Sequence, residues 1–156
     1  METLYHILLW GGLVTLVCFV IAIGAYLIDP KIFGRDLGWD EAHQNVKGGV
    51  LTGVGMLLTS IFIMVYAASN YEYIDGGVGF GKALWISYLI FQVFNWADFF
   101  ILDWLIYMKI KPAFMRPEQL PVADNISRHF KDSVKGLFIG ILPALISTAI
   151  WVLLRT

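Results

Sequence analysis

The chain has 156 residues, of which 58% are hydrophobic and only 15% charged, with a net charge of −1 and a mean hydropathy of +0.71. Soluble domains carry about a quarter of their residues as charges, so one this small cannot cover that much apolar surface; the excess must face lipid. Near-neutral charge gives no reason to expect a nucleic-acid partner, and a single cysteine, Cys18 in an apolar run, excludes an intrachain disulfide and two-thiol chemistry.

The first predicted element is the apolar segment Leu4–Ile28. Glu2 precedes it without any Lys or Arg, and it is too long for a signal-peptide core, so it is expected to remain as a span. A loop with Lys31, Arg35 and Lys47 follows, and its stretch from Asp40 through His43 and Lys47 is expected to lead into the second span, Val50–Ala68. Gly49 and Gly53, beside a ridge of Gly48, Thr52, Met56 and Ser60, suggest close helix contact there. The connection Ser69–Lys82 reads as a flexible turn because of Gly76, Gly77, Gly79 and Gly81, with Tyr71 and Tyr73 at headgroup level.

The third span is Ala83–Met108. Pro112, Pro117 and Pro121 then forbid a continuous helix. Asp124 is a good N-cap for an amphipathic helix with Ile126, Phe130, Val134 and Leu137 on one face and Arg128, Lys131 and Lys135 on the other. That helix is expected to lie in the interface and lead into the last span, Leu137–Leu154. Gly136, Gly140, Ala144 and Thr148 form a smooth four-residue stripe, which suggests tight packing with the second span, and Pro143 removes a backbone donor and favours a kink. Each segment reaches the roughly 20 helical residues that a bilayer core requires, and helices satisfy every backbone group internally. The expected fold is all-α: a single-domain, antiparallel, four-helix integral membrane bundle with a short interfacial helix before the last span.

Lys31, Arg35, Lys47, Lys109, Lys111, Arg116, Arg128, Lys131 and Lys135 fall on one side of such a bundle, and only Lys82 and Arg155 on the other. The asymmetry predicts cytoplasmic basic loops and outside termini, in a plasma membrane.

The third span carries the most informative pattern. At about 100° per residue, Tyr88, Gln92, Asn95 and Asp98 advance along one broad face, with Asp103 at its edge. Asp98 lies about 24 Å along the helix from Lys82. A carboxylate deep in lipid costs at least about 2.5–3.5 kcal/mol, so Asp98 must find a partner in the bundle, a wet cavity, or a proton. Two readings stay open. Tyr88, Gln92, Asn95 and Asp98 could line a cytoplasmic polar pocket for a headgroup, an ion or a proton. Alternatively, Asn95 and Asp98 could hydrogen-bond to Thr52, Thr59, Ser60 or Thr148 and set helix register.

His6 is expected near the outer interface. His43, His129 and Glu41 fall on the inner side, but without HxxxH or HExxH spacing they make only a weak metal candidate, so no metal and no cofactor are assigned. No histidine lies mid-membrane, which argues against haem. The glycines at 76–81 lack the strand, helix and lysine of a phosphate cradle.

The segments Phe94-Asn95-Trp96-Ala97-Asp98, Leu102-Asp103-Trp104-Leu105, Pro112-Ala113-Phe114 and His129-Phe130-Lys131, the last followed by Gly136 and an apolar run, carry a resemblance. Together they resemble an uncharacterised group of small bacterial four-span membrane proteins with Asn-x-x-Asp, Asp-Trp-Leu and His-Phe-basic elements. The likeness runs from about Phe91 to Gly140, and the surroundings of Arg128 and Asp132 are more charged than the group's pattern. It implies no activity, but it joins Asn95, Asp98, Asp103 and His129 as one set.

Three functions are compatible with these features. The chain could be a binding or accessory protein that recognises a lipid headgroup or other small ligand. It could be an enzyme on a lipid-like substrate, with Asp98 or Asp103 as acid or base and His129 assisting. It could be a small transporter or channel subunit, which four spans would require to form a homo-oligomer. An enzyme requires Asp98, Asp103 and His129 to converge, and a transporter requires a polar path beyond Asp98 to the outer face.

Overall fold

Four helices long and apolar enough to cross a membrane make up the protein in the computed structural model. It describes residues 1–33, 44–75, 78–110 and 126–155; the expected lead-in at 40–43 with His43, Gly76 and Gly77, the prolines and Asp124 within 111–125, and the side chain of Tyr73 lie outside the described residues. The elements are α1 (Glu2–Ile28), a 3-10 turn (Pro30–Phe33), α2 (Val46–Asp75), α3 (Phe80–Ala97) continued by a wider π-helical segment (Asp98–Ile110), α4 (Ile126–Ile139) and α5 (Ile141–Arg155). Every described element is helical, and together they form the expected all-α four-helix bundle.

α1 ends where Asp29 turns extended, at φ −150° and ψ 100°. Its carboxylate then accepts the Lys31 N–H at 3.0 Å and the Asn45 side-chain amide at 2.8 Å. Asn45 in turn caps α2, its side-chain oxygen accepting the Gly48 N–H at 2.8 Å. One Asp–Asn pair thus ties the end of the first helix to the start of the second. The Asn45 hydrogen bond, followed by the Lys31 N–H, holds the Asp29 carboxyl below its ordinary range.

Around the bundle the neighbours run α1, α2, α5, α3 and back to α1. Val14, Cys18, Met64, Ile86, Ile90 and Trp151 fill the centre, while Val20, Phe62, Trp85, Phe138 and Leu153 point outward. Buried Ser60, Ser87, Gln92, Ser147 and Thr148 share that interior. Such an arrangement suits lipid, which is as apolar as any core, so that packing and hydrogen bonds decide what faces inward.

The glycine stripes do only part of what their spacing suggests. A Cβ on Gly11 would stand 2.5 Å from Val93 Cβ, so α1 and α3 approach closely there. α2 and α5 are neighbours as expected, but the fourth-span glycines serve α3: a Cβ on Gly140 would stand 2.5 Å from the Phe91 ring. In the second span, Gly49 faces the Ile32 carbonyl of the turn, and Gly53 has nothing within 4 Å of where its Cβ would be. Helical bonding passes through Gly140, from Gly140 N–H to Gly136 and from Ala144 N–H to Gly140, while Pro143 leaves the Ile139 carbonyl without its helical donor. α4 therefore leads into α5, and the interruption falls at Gly140.

At the end of the bundle that carries both termini, Tyr71 gathers several partners. Its hydroxyl shares a 2.7 Å hydrogen bond with Thr3, and Lys82 lies over its ring at 5.2 Å. Arg155 lies over Trp151 at 4.6 Å and donates to the Val78 carbonyl at 3.1 Å. His6, about one turn from the start of α1, is buried between helices: Nε2 donates to the Ala67 carbonyl at 3.0 Å and links α1 to α2.

Gly11→Ala should lower thermal stability in detergent by about 1–3 kcal/mol through overpacking against Val93. Gly53→Ala should leave stability unchanged or raise it by up to about 1 kcal/mol through helix propensity; equal effects at the two sites would contradict this packing. Asp29 supplies a pH test. Its bonds are fully present above the ordinary carboxylate pKa and are lost as pH falls through its lowered value. The protection of the Lys31 amide, the slowing of its exchange relative to the intrinsic rate at the same pH, should therefore fall as pH drops through that lowered value, and in Asp29→Ala it should be weak at every pH.

Candidate functional site

The polar face of the third span meets α4. The Tyr88 hydroxyl donates to the Leu137 carbonyl at 3.2 Å, and the Asn95 amide donates to the Ser133 carbonyl at 3.0 Å and to the Gln92 side-chain oxygen at 3.3 Å. The Gln92 amide reaches the Gly136 carbonyl at 3.5 Å, a long and weak contact. Gly136 makes this approach possible, because a Cβ there would collide with the Asn95 side-chain oxygen. Tyr88, Gln92 and Asn95 therefore join two helices through backbone carbonyls of α4 rather than through Thr52, Thr59, Ser60 or Thr148. Thr59 and Ser60 instead donate to the carbonyls of Gly55 and Met56 in their own helix.

Beyond Asn95 the backbone changes. From Asp98 to Ile110 the helix widens to the π form, with hydrogen bonds between residues five apart. In an α-helix, five residues overshoot one turn by about 140°. In the wider helix five residues come much closer to a single turn, so Asp103 swings from the edge of the polar face toward the side that bears Asp98. There Asp103 meets α4: its Oδ2 lies 3.1 Å from His129 Nδ1, with the side chains only 16% and 17% exposed. The other ring nitrogen, His129 Nε2, is buried and has no hydrogen-bond partner among the described residues. Asp98 is half-buried and has an interaction of its own.

The inward side of α4 is thus His129, Ser133, Gly136 and then Gly140, a row of polar and small residues. Ser133 is buried, and its hydroxyl returns to the His129 carbonyl at 3.1 Å. Ile126 and Phe130, from the expected apolar face, are exposed to the surroundings, and Phe130 packs its ring against Trp96 and Phe99. Arg128, Lys131 and Lys135 follow on the same helix, with Lys135 paired to Asp132, and Lys109 of the π segment lies 5.8 Å over the Trp104 ring.

Of the grouped residues Asp103 and His129 come together, while Tyr88, Gln92 and Asn95 are engaged in the seam. Ser133 and the α4 carbonyls escaped the sequence reading; the four-residue step from His129 to Ser133 was the signal that could have found Ser133. Among the described residues no three His, Cys, Asp or Glu side chains converge as a metal-binding group, and His43 and Glu41 lie outside them. An open, largely apolar groove of about 560 Å³ lies instead at the terminal end between α1 and α2, where Glu2, Tyr5, His6, Trp10 and Asn70 line it. It touches none of the third-span residues.

The carbonyl seam and the Asp103–His129 pair form one continuous contact between the third span and α4. Its chemistry is an oriented imidazole with one nitrogen held by a carboxylate and the other without a hydrogen-bond partner among the described residues, supported by neutral donors that fix the two helices in register.

Gly136→Ala should cost about 1–3 kcal/mol because the new methyl must displace the pinned Asn95 amide. In an Asn95→Ala background the same change should cost far less, since the colliding group is gone. A double-mutant cycle read by thermal or SDS unfolding measures the coupling; equal costs in both backgrounds would disprove the seam. No protein-family model, curated protein or solved structure matches the chain.

Proposed function

We propose that the chain is a multi-pass protein of a bacterial plasma membrane, with outside termini and cytoplasmic basic loops, that binds the anionic phosphate headgroup of a lipid or lipid-like ligand at His129. The proposed orientation puts the Asp103–His129 pair at the cytoplasmic interface, within reach of headgroups. The resemblance of the Asn95–Asp98, Asp103 and His129 elements to small bacterial four-span proteins belongs to the same reading.

One observation carries it: His129 Nε2 is buried without a hydrogen-bond partner among the described residues, while Asp103 holds Nδ1. Leaving such an atom unpaired costs about 1–3 kcal/mol, so a ligand atom that bonds to it gains that much. Charge selects the ligand's sign. Arg128, Lys131 and Lys135 on α4 and Lys109 beside Trp104 outnumber the carboxylates Asp98, Asp103 and Asp132 by four to three, which favours phosphate over an ammonium headgroup. A phosphate oxygen accepts from the imidazolium Nε2–H. The neutral ring, with its proton on Nδ1 toward Asp103, offers only a lone pair there.

A second reading draws on the same geometry. With Asp103 fixing the imidazole, Nε2 of the neutral ring could instead remove a proton from an attacking water, with Asp98 of the same helix as the acid. The chain would then be an enzyme cleaving a lipid-like substrate.

Native mass spectrometry of the purified protein with phosphatidylglycerol and a neutral glycolipid tests both. Binding predicts a phosphatidylglycerol preference that weakens as pH rises through the histidine range and falls about tenfold, or ~1.5 kcal/mol, in His129→Ala. His129→Gln should keep a donor but lose the pH dependence. Undiminished preference in His129→Ala would sink the binding role, whereas turnover of retained lipid that disappears in His129→Gln would select the enzyme.

A further inference from the structure

Buried hydroxyls in this bundle follow a rule. Thr15 donates to the Gly11 carbonyl, Ser60 to Met56, Ser133 to His129 and Ser147 to Ala144, each within its own helix. Such back-bonding is the usual way a hydroxyl is satisfied inside a membrane helix. Ser87 Oγ and Thr148 Oγ1 break the rule: both are buried and have no hydrogen-bond partner among the described residues, and the same holds for Trp151 Nε1. Ser87 and Thr148 are 0% exposed and Trp151 is 1% exposed.

These exceptions share one seam. Asn95 meets Gly136 and Phe91 meets Gly140, so the α3 row Asn95, Phe91, Ser87, Ala83 runs antiparallel along the row Gly136, Gly140, Ala144, Thr148. Continuing that register sets Ser87 against Ala144 and Thr148 against Ala83, one helical turn from Ser87. Trp151 follows Thr148 at the i+3 position on the same side of α5. Both facing alanines are 0% exposed, and in this register no bulky side chain is set between the polar atoms. Thr148 has a reason not to fold back: the Ala144 carbonyl it would use already accepts the Ser147 hydroxyl at 3.0 Å.

We propose that Ser87, Thr148 and Trp151 form a binding site for an internal water between α3 and α5, apart from the His129 site and independent of its function. The water oxygen accepts from the Trp151 indole N–H, and its hydrogens go to the Ser87 and Thr148 oxygens. Three partners is the number a buried water ordinarily takes. Leaving the three atoms unpaired would cost about 1–3 kcal/mol each, which a single bridging molecule removes. An ion does not fit, because among the described residues no Asp, Glu, Lys or Arg is buried to neutralise it. A lipid chain does not fit either, having no hydrogen-bonding atom to offer.

Synchrotron hydroxyl-radical labelling of the full chain in nanodiscs tests this, because radicals arise from a bound water at the site itself. Trp151 should be oxidised despite its burial, the fully exposed terminal Met1 should label strongly, and Met64, which is 0% exposed, should remain silent. Thr148→Val, nearly identical in shape, should reduce Trp151 labelling several-fold and lower the melting temperature. Ser87→Ala should act in the same direction. A silent Trp151, or Met64 labelled alongside it, overturns the proposal, as does an unchanged or raised melting temperature in Thr148→Val.

Discussion

The arrangement depends on side-chain donors of α3 reaching backbone carbonyls of α4 through the gap left at Gly136. In water a bundle can be held by burying apolar surface, but lipid offers no such gain, since a leucine is as comfortable outside as inside. What distinguishes one helix pairing from another is then close approach and polar complementarity. Asn95 supplies both, because its side chain occupies the position a Cβ on residue 136 would take and donates to the Ser133 carbonyl at 3.0 Å. Each such bond contributes only about 0.6 kcal/mol in membranes. Its value lies in specificity: a rotation of α4 by one residue, about 100°, would turn every partner away.

The Asp103–His129 pair inherits its geometry from that seam. His129, Ser133 and Gly136 lie on one row, so the contact that places Gly136 against Asn95 also fixes where the imidazole points. The π-helical widening from Asp98 supplies the matching half by bringing Asp103 round to meet it. Neither helix alone would create the pair. Its orientation is a tertiary property, made from two local irregularities that an ideal helix would lack.

The spans and the all-α class were legible because length and hydropathy are dictated by a membrane's thickness, whatever the helices pack against. The polar face of the third span was legible too, since amides and carboxylates in an apolar run demand explanation. Their partners were not. Tyr88, Gln92 and Asn95 bond to main-chain carbonyls, and every residue has one, so no residue type marks the acceptor. Small-residue stripes likewise announce close approach without naming the neighbour, which is why the Gly136 and Gly140 stripe pointed to the second span while it accommodates the third. The apolar face of α4 was legible as one that meets lipid, and Ile126 and Phe130 are indeed exposed, but nothing in the sequence marked His129 and Ser133 as the side turned toward α3. Reading an α period through Asp98 to Ile110 put Asp103 at the edge, because nothing in its residue types announces a π-helix.

Along the third span the polar groups are ordered by what they cost to bury. The hydroxyl of Ser87 comes first, then the phenol of Tyr88, the amides of Gln92 and Asn95, the carboxylates of Asp98 and Asp103, and finally the ammonium of Lys109. Neutral groups need one hydrogen bond each and can be satisfied in the bundle's middle by a carbonyl. A carboxylate needs charge compensation as well, which in this bundle comes from the imidazole of His129 near the end that bears the basic residues. From Gln92 onward the amides that join α3 to α4 come before the carboxylates, and the Asp103–His129 pair lies toward the end that bears Lys109. Amides that pack and carboxylates that need charge compensation thus divide one helix face along its length, and the boundary falls close to Asp98, where the helix changes from α to π.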